Sequence, residues 1–328
     1  MVYIYAVEGR KTGGPELLHQ LAFVLNSIGV GAKMVYVKNS FPIEITRADV
    51  IDEYACYCSE TEVDLSVIDR EENLVVVPEI LYEALDEIHH ATKVAWWLSV
   101  DGYKDILKDK YGFSDEDLKE ISNLDYYKFR VREDVFHLAQ SHYAIDFLET
   151  TLGVPQERIN YLSDYINDSY LQINPEDLQI ERKDMVIFNP KKGGWRLKKL
   201  IDETKDEILW VPLENLTKEK MRLHMLIAKV YVDFGNHPGK DRIPREAAIS
   251  GCCVITGRQG AAAYELDVPI PERYKIDDAT DVDVPVVKNL ILDIFENYEE
   301  RTKDFEDYRN MIRGEKEKFV MDVVRLFR

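Results

Sequence analysis

A group of charged residues between two apolar runs has the residue types needed to bind a phosphate-bearing ligand. The group holds three cations and a carboxylate: Lys240, Arg242, Arg245 and Glu246. The sequence here predicts a Gly- and Pro-rich loop, a helix that begins near Pro244 and then a buried strand. This order of elements is typical of sites that hold phosphate at the carboxyl edge of a parallel sheet. Such a helix brings Glu246 into its first turn, where it could accept hydrogen bonds from ribose hydroxyls while the cations face a diphosphate. The alternative is an ordinary loop–helix–strand connection with solvated charges.

Length and charge limit the classes of protein to consider. At 328 residues the chain exceeds what one compact core usually holds, so two domains are expected. The net charge of −19 argues against a nucleic-acid partner, because neutralising phosphates requires a positive surface. Against this acidic background, local groups of cations become more informative.

The sequence offers no usual metal motif and no membrane span. Its four cysteines form one C-x-C and one adjacent pair, and neither spacing is a usual zinc motif. The chain begins directly with strand-like Val2–Val7, and no apolar segment reaches ~18 residues. We therefore expect a cytoplasmic protein without a metal site or a transmembrane segment. An apolar stripe on the last helix leaves peripheral membrane contact open, although the acidic charge before it disfavours such contact.

Strands and helices alternate along the chain. Apolar residues at helical spacing predict a helix over Glu16–Ile28, which Gly29 ends, and another helix is expected from about Glu79 to His90. Strands are predicted at 2–7, 33–37, 73–78, 93–98, 137–141, 185–189, 207–211, 229–234 and 252–256. This alternation predicts an α/β fold with parallel sheets.

The pattern divides into two series, separated by polar residues around Asn174 and Pro175. We predict an N-terminal Rossmann-like domain at 1–175, a C-terminal Rossmann-like domain at 176–300 and a terminal helix at 301–328. Two such halves leave a cleft between the carboxyl ends of two sheets, where small ligands bind. The motifs of dinucleotide dehydrogenases (G-x-G-x-x-G) and P-loop NTPases are absent from the sequence.

Three segments resemble those of GT-B glycosyltransferases. Gly13-Gly14-Pro15, before a helix that carries Leu21-Ala22, looks like their amino-terminal glycine loop. The segment Asn189-Pro-Lys-Lys-Gly193 looks like the loop that opens their carboxyl-terminal domain, and 245–255 looks like their Glu-Ala-x-x-x-Gly-x-Pro-Val-Ile segment. The chain thus resembles the large retaining, glycosyltransferase family 4-like group of bacterial lipopolysaccharide and capsule hexosyl- and mannosyltransferases.

The resemblance implies two Rossmann-like domains facing each other across a cleft, with the last helix returning to the N-terminal domain. The N-terminal domain would bind the acceptor and the C-terminal domain the nucleotide-sugar donor. The implied donor site comprises Gly13, Gly14, Lys191, Lys192, His237, Lys240, Arg242, Glu246, Gly260 and Ala261. In it Glu246 would bind the ribose, while cations and backbone N–H groups stabilise the pyrophosphate. Enzymes of this type work without metal, so neither a metal nor a cofactor is expected.

The sequence departs from the family where the family pairs two glutamates as E-x7-E. The first would fall at Pro238, and the neighbouring residues are His237, Gly239 and Lys240. The family directs this missing carboxylate at the donor sugar. Its loss therefore leaves the identity of the sugar and the stereochemical outcome open, while the cations could strengthen diphosphate binding.

An inverting enzyme would also need a general base on the acceptor hydroxyl. Asp101, at the end of the strand that carries Trp96 and Trp97, is the candidate, with Glu79 and His142 behind it. A turn or helix N-cap is the alternative role for Asp101. A retaining enzyme can work without such a base, and the sequence leaves both mechanisms open.

The expected function is transfer of a sugar from UDP- or GDP-hexose to a glycan or lipid-linked acceptor in surface polysaccharide synthesis. Two alternatives are kept. One is a sugar-nucleotide epimerase, which would need several catalytic carboxylates and histidines in the cleft. The other is a non-catalytic sugar-nucleotide or glycan-binding protein with a degenerate site, suggested by the missing glutamate.

Overall fold

The computed structural model describes residues 1–38, 42–119, 134–172, 177 and 180–328. Over these residues the chain forms two compact units. The first comprises Met1–Asp164 together with Glu317–Arg328, and the second comprises Tyr165–Lys316. The predicted boundary between residues 175 and 176 lies outside the described residues. The chain after residue 300 is divided between the units, because residues up to Lys316 belong to the second and those from Glu317 to the first.

A parallel sheet forms the centre of the first unit, with its strands in the order β2-β1-β3-β4-β5-β6. The strands are β1 (Val2–Val7), β2 (Ala32–Val37), β3 (Leu74–Pro78), β4 (Thr92–Trp97), β5 (Val135–Ala139) and β6 (Ile159–Tyr161). Every residue of β1 is buried, as expected for a strand that is covered on both faces of a parallel sheet. The three-residue β6 is too short for a sequence pattern and was not predicted.

Two longer helices belong to the first unit, α1 (Gly13–Ser27) and α2 (Val100–Tyr111). Shorter helical segments cover Leu65–Ile68, Glu79–Glu87, Asp115–Lys119, His142–Asp146, Phe147–Thr151 and Gln156–Arg158. The helix predicted from Glu79 to His90 is instead a kinked 3₁₀ segment that stops at Glu87. The reason lies in Asp69, whose carboxylate accepts the backbone N–H groups of residues 89, 90 and 91 and so holds them outside a helix.

The second unit contains a parallel sheet in the order β10-β9-β7-β8. Its strands are β7 (Lys183–Phe188), β8 (Leu209–Pro212), β9 (Ala228–Asp233) and β10 (Cys253–Thr256). Its longer helices are α3 (Gly194–Thr204), α4 (Lys218–Ile227), α5 (Arg242–Ile249), α6 (Val284–Glu296) and α7 (Glu306–Phe327), of which α7 continues into the first unit. Shorter segments cover Asp168–Leu171, Gly260–Ala263, Glu272–Tyr274, Tyr298–Arg301 and Thr302–Phe305.

The end of α7 packs within the first unit. The ring of Phe319 lies 6.3 Å from that of Trp96 in a stacked orientation, and Phe319 is buried. The guanidinium of Arg328 donates a hydrogen bond to the carbonyl of Ile28 at 2.6 Å. The apolar stripe of the last helix is thus at least partly used in packing. Among the described residues, the helices lack the combination of length and apolar character that crossing a membrane requires.

Candidate functional site

The carboxyl edge of the second sheet brings several polar side chains together. Strand β9 ends at Asp233 and β10 ends at Thr256, and these two residues are direct partners across the parallel ladder. The loop after β7 carries Lys192, and the loop after β9 carries His237 and Asp241. Parallel strands all end at one edge, so two loops that are distant in sequence contribute to one site.

Four side chains, one at the end of β9 and three from these loops, form one charged cluster, which we call the edge cluster: Lys192, Asp233, His237 and Asp241. Lys192 contacts the Asp241 carboxylate directly, and its Nζ lies 3.9 Å from Asp233 Oδ1. His237 Nδ1 lies 3.1 Å from Asp241 Oδ2, and His237 Nε2 lies 3.3 Å from the carbonyl oxygen of Asp233. Both ring nitrogens therefore face pure acceptors, which is the arrangement of a protonated imidazolium.

The electrostatics of the edge cluster agree with this geometry. Burial alone would lower the pKa of His237, but the charge of Asp233 and the hydrogen bond to Asp241 outweigh it, so the pKa is raised. Burial would raise the pKa of Asp241, yet His237 and Lys192 together lower it. For Asp233 burial prevails and the pKa is raised. The cluster thus pairs the cations Lys192 and His237 with an ionised Asp241.

Exposure divides the edge cluster into an inner and an outer pair. The side chains of Asp233 and His237 are each 1% exposed, whereas those of Lys192 and Asp241 are 22% and 21% exposed. Oδ1 of Asp233 is buried and has no hydrogen-bond partner among the described residues, while Oδ2 accepts from the Tyr231 hydroxyl at 2.8 Å. Only the outer pair can meet a ligand without rearrangement.

The spacing of Asp233, His237 and Asp241 would also suit a metal ion, since one ligand atom from each lies within 4.8 Å of the others. Two features favour the ion-pair arrangement instead. The ring nitrogens of His237 both act as donors, whereas a metal needs an imidazole lone pair. The ammonium of Lys192 already occupies the space beside both carboxylates, where it would repel a cation. Independence from metal stays a prediction.

Two of the three cations in the charged stretch, Lys240 and Arg245, pair with the carboxylate of Glu315, which lies far along the chain. Lys240 Nζ lies 2.9 Å from Glu315 Oε1, and Arg245 Nη1 lies 2.8 Å from Glu315 Oε2. All three side chains are less than 5% exposed. Lys240 therefore joins the loop after β9 to helix α7, and Arg245 joins helix α5 to it. Glu315 was not foreseen, because it lies far along the chain within a run of charged helical residues.

The remaining residues of the charged stretch are placed by helix α5. This helix begins at Arg242, before the predicted start near Pro244, so the prediction that Glu246 lies in the first turn is wrong. Glu246 is 8% exposed and hydrogen-bonds the Tyr170 hydroxyl, whose pKa is raised by burial and then by this carboxylate. Arg242 is the first helical residue and is partly exposed. Asp241 is the N-cap residue of α5, but its side chain makes no capping hydrogen bond.

The segment after β10 folds against the edge cluster through its backbone. The N–H of Ala261 donates to the carbonyl of His237 at 2.8 Å. Gly260 has a φ of +59°, and a Cβ at this position would lie 2.1 Å from the same carbonyl oxygen, so glycine is required for the close approach. The amide of Ala261, which was predicted to face pyrophosphate, is used within the protein.

Asp278 organises two of the loops at this edge and was missed by the sequence analysis. Its carboxylate accepts the N–H of Gly235 at 2.7 Å and that of Arg258 at 3.3 Å. The side chain lies directly over Gly257, where a Cβ would come within 2.5 Å of it. Asp278 therefore fixes the backbone after β9 relative to the backbone after β10.

The predicted residues Gly13 and Gly14 lie in the first unit, where they begin helix α1 after β1. Gly13 is exposed, and a Cβ on Gly14 would meet only Leu98. Lys191 is exposed in the second unit, and its N–H donates to the side chain of Asn189.

Asp101 lies in the first turn of α2, at the carboxyl edge of the first sheet. Ser99 is the N-cap residue there, since its hydroxyl accepts the N–H of Gly102 at 2.9 Å. The Asp101 carboxylate accepts from the Tyr143 hydroxyl at 3.1 Å and lies 3.7 Å from Lys104 Nζ. Its side chain is 20% exposed, which leaves it accessible to a ligand.

Glu79 lies behind this loop as a buried carboxyl group, only 3% exposed. Its Oε2 accepts the N–H of Leu98 at 2.8 Å, which ties the end of β3 to the loop after β4. Burial raises the pKa of Glu79 to about 7, although backbone N–H groups of Leu98 and Ser99 oppose this shift.

A cavity of about 880 Å³ lies at the opposite edge of the second sheet, where the strands begin. Arg182, Lys229 and Gly251 are among its lining residues. The guanidinium of Arg182 donates hydrogen bonds to the backbone carbonyls of Met225, Ala228 and Ser250. Arg182 therefore braces the strand starts, and we place the candidate site at the carboxyl edge.

Comparison with known proteins supports the fold. No protein-family model matches the sequence, and a search of curated proteins gives no match. Among solved structures, the chain is similar to sucrose-phosphate synthase from Thermosynechococcus elongatus, with a TM-score of 0.69 and 12% identity over 99% of this chain and 98% of that one.

Two further structures are similar over nearly their whole length. Anabaena HepE, in complex with UDP-glucose, matches with a TM-score of 0.61 and 12% identity, over 99% of this chain and 97% of that one. WaaG, a glycosyltransferase involved in lipopolysaccharide biosynthesis, matches with a TM-score of 0.57 and 12% identity, over 98% of this chain and 99% of that one. These likenesses confirm the predicted α/β fold of GT-B type.

Proposed function

We propose that this chain is a glycosyltransferase that takes its sugar from a nucleotide-sugar donor. The observation that carries the proposal is the partly exposed Lys192 at the carboxyl edge of the second sheet, directly before the N-terminus of α3. A lysine and the first N–H groups of a helix together attract a diphosphate. Gly193 and Gly194 have φ values of +75° and +50°, so the backbone there can approach a ligand closely.

The likeness to enzymes solved with UDP-glucose or UDP supports a donor of this kind. We propose that a UDP- or GDP-hexose binds with its diphosphate against Lys192, and that Glu246 and Arg242 contribute on the side of α5. Lys240 and His237 would then support the site without touching the donor, because their side chains are buried. We propose further that the acceptor is a glycan or a lipid-linked molecule in surface polysaccharide synthesis. We also propose that the enzyme acts without metal and in the cytoplasm.

A calorimetric panel of UDP, GDP, CMP, ADP and dTDP with their common sugar conjugates tests the donor site. We expect one nucleotide to bind well, and Lys192→Ala to weaken its binding about 10- to 100-fold, because a charge-assisted contact to phosphate is lost. Lys198→Ala is the matched control, since Lys198 lies on α3, the helix that follows Lys192, is 77% exposed and pairs only with Asp202 among the described contacts. Equal affinities in the wild type and Lys192→Ala would refute the assignment of the site.

Asp101→Asn tests for an acceptor base in the first unit. If Asp101 takes the acceptor proton, transfer should fall by about 100-fold or more while donor binding is retained. The carboxamide keeps an oxygen that can accept from Tyr143, so the local structure should persist. Asp109→Asn, on the exposed side of the same helix, is the control. Turnover that is unchanged in Asp101→Asn would remove Asp101 from the mechanism.

A sugar-nucleotide epimerase is kept as the second candidate because of one observation. The edge cluster places a histidine between two carboxylates, and an epimerase requires acid–base groups of this kind. Incubating the donor that binds, without an acceptor, separates the two functions. A new epimer of the nucleotide sugar would favour epimerisation, whereas transfer that depends on an acceptor favours the transferase.

A further inference from the structure

Asp241 differs from Asp233, the other carboxylate of the edge cluster, because it is both ionised and accessible. Its side chain is 21% exposed, whereas that of Asp233 is 1% exposed. Although Asp241 occupies the N-cap position of α5, its side chain makes no capping hydrogen bond there. The carboxylate instead points at Lys192 and His237, so it belongs to the site more than to the helix.

The inner pair of the cluster holds Asp241 in this state. His237 donates from Nδ1 to Asp241, and from Nε2 to the carbonyl of Asp233. Asp233, whose Oδ2 accepts from the Tyr231 hydroxyl, and Asp241 both raise the pKa of His237 against the effect of its burial. Asp233 and His237 are thus positioning residues that act through Asp241. The groups facing His237 are Asp233, Asp241 and Lys192.

We propose that Asp241 is the carboxylate that faces the glycosyl group of the donor. The proposal rests on the proposed function, in which Lys192 holds the diphosphate. The sugar is attached to the diphosphate through a single oxygen, so it lies within a few ångströms of the ammonium that binds the phosphate. Asp241 contacts that same ammonium and is partly exposed, so a sugar hydroxyl or the ring of the donor comes within its reach.

An ionised carboxylate at this position has a definite task in glycosyl transfer. As the bond between C1 and the phosphate oxygen breaks, its electron pair leaves with the nucleoside diphosphate and positive charge develops on C1 and the ring oxygen. The acceptor oxygen forms the new bond to C1, and its proton passes to the departing phosphate oxygen or to solvent. Asp241 stabilises the developing positive charge and accepts hydrogen bonds from the sugar hydroxyls.

The proposal makes opposite predictions for the diphosphate and for the sugar. In Asp241→Asn, UDP or GDP should bind at least as tightly as in the wild type. The reason is that phosphate no longer competes with the Asp241 carboxylate for the ammonium of Lys192. The additional affinity for UDP-glucose or GDP-mannose should fall about tenfold, and the transfer rate about 100-fold or more. Calorimetry with these four probes, and transfer assays with the better donor, measure both effects.

Two further variants complete the test. Asp241→Glu keeps the charge but displaces it, so it should fold normally and lose transfer to an intermediate degree. Asp277→Asn, an exposed aspartate on a loop of the same edge, should change neither binding nor transfer. Thermal unfolding of each variant shows whether the fold is intact.

The remaining outcomes separate this inference from the function on which it rests. If the wild type binds none of the four probes, the proposed donor site itself fails. If the wild type binds and transfers while Asp241→Asn transfers normally, only the role of Asp241 is overturned. Equal losses of affinity for UDP and UDP-glucose would place Asp241 against the nucleoside diphosphate, and this would overturn the proposal as well.

Discussion

Replacing Glu315 by alanine is expected to lower the free energy of unfolding of the second unit by about 3–5 kcal/mol, since the change breaks a buried ion pair by removing one partner. Glu315 is shared by Lys240 and Arg245 at 2.9 and 2.8 Å, and all three side chains are nearly inaccessible to water. Alanine is a good helix former, so α7 itself should not be weakened. The loss therefore measures the cost of leaving two buried cations without this carboxylate.

Urea unfolding followed by circular dichroism measures this effect. Glu317→Ala is the matched control, because Glu317 lies two residues further along α7 and is exposed, and we expect a change within about 0.5 kcal/mol. Replacing Glu315, Lys240 and Arg245 together by apolar residues of similar size should recover most of the stability. If Glu315→Ala and Glu317→Ala unfold at the same urea concentration, the buried ion pair does not contribute as described.

The secondary structure was largely predictable because buried parallel strands are continuous apolar runs. Val2–Val7 was predicted with the bounds that the structure shows, and most other strands were placed within one or two residues. The errors occur where side chains outside the segment decide. Asp69 ends the 3₁₀ segment before His89, although the sequence pattern there favours a longer helix. The helix propensity of a segment depends only on its own residues, so it does not reveal a carboxylate that another loop contributes.

The position of the charged stretch in the fold was predicted, but the partners of its side chains were not. The charged stretch from Lys240 to Glu246 does lie at the carboxyl edge of the second sheet, as alternating strands and helices require. Which cation stays accessible depends on contacts across the chain. Lys240 is paired with Glu315, 75 residues away, whereas Lys192 meets Asp241, 49 residues away. The sequence does not indicate which distant carboxylate will pair with which lysine.

The pH dependence of stability should change when Glu79 is replaced by glutamine. The pKa of Glu79 is raised from 4.5 to about 7 by burial, so the folded state binds its proton more tightly than the unfolded state does. Its favourable contribution is therefore complete below about pH 4.5 and is lost as the pH rises to 7. At 1.36 kcal/mol per pKa unit, the loss amounts to roughly 3 kcal/mol above pH 7. Glutamine cannot ionise and keeps an oxygen for the N–H of Leu98.

Urea unfolding of the wild type and Glu79→Gln between pH 5 and 8 tests this expectation. The two proteins should be similarly stable at pH 5, and the variant should become the more stable one by up to about 3 kcal/mol at pH 8. Glu87→Gln is the matched control, because Glu87 is exposed at the end of the same 3₁₀ segment and should follow the wild type at every pH. Parallel curves for Glu79→Gln and the wild type would mean that Glu79 titrates alike in the folded and unfolded states. If the parallel curves are also separated by a constant destabilisation of the variant, that difference measures the packing of Glu79 that glutamine fails to replace.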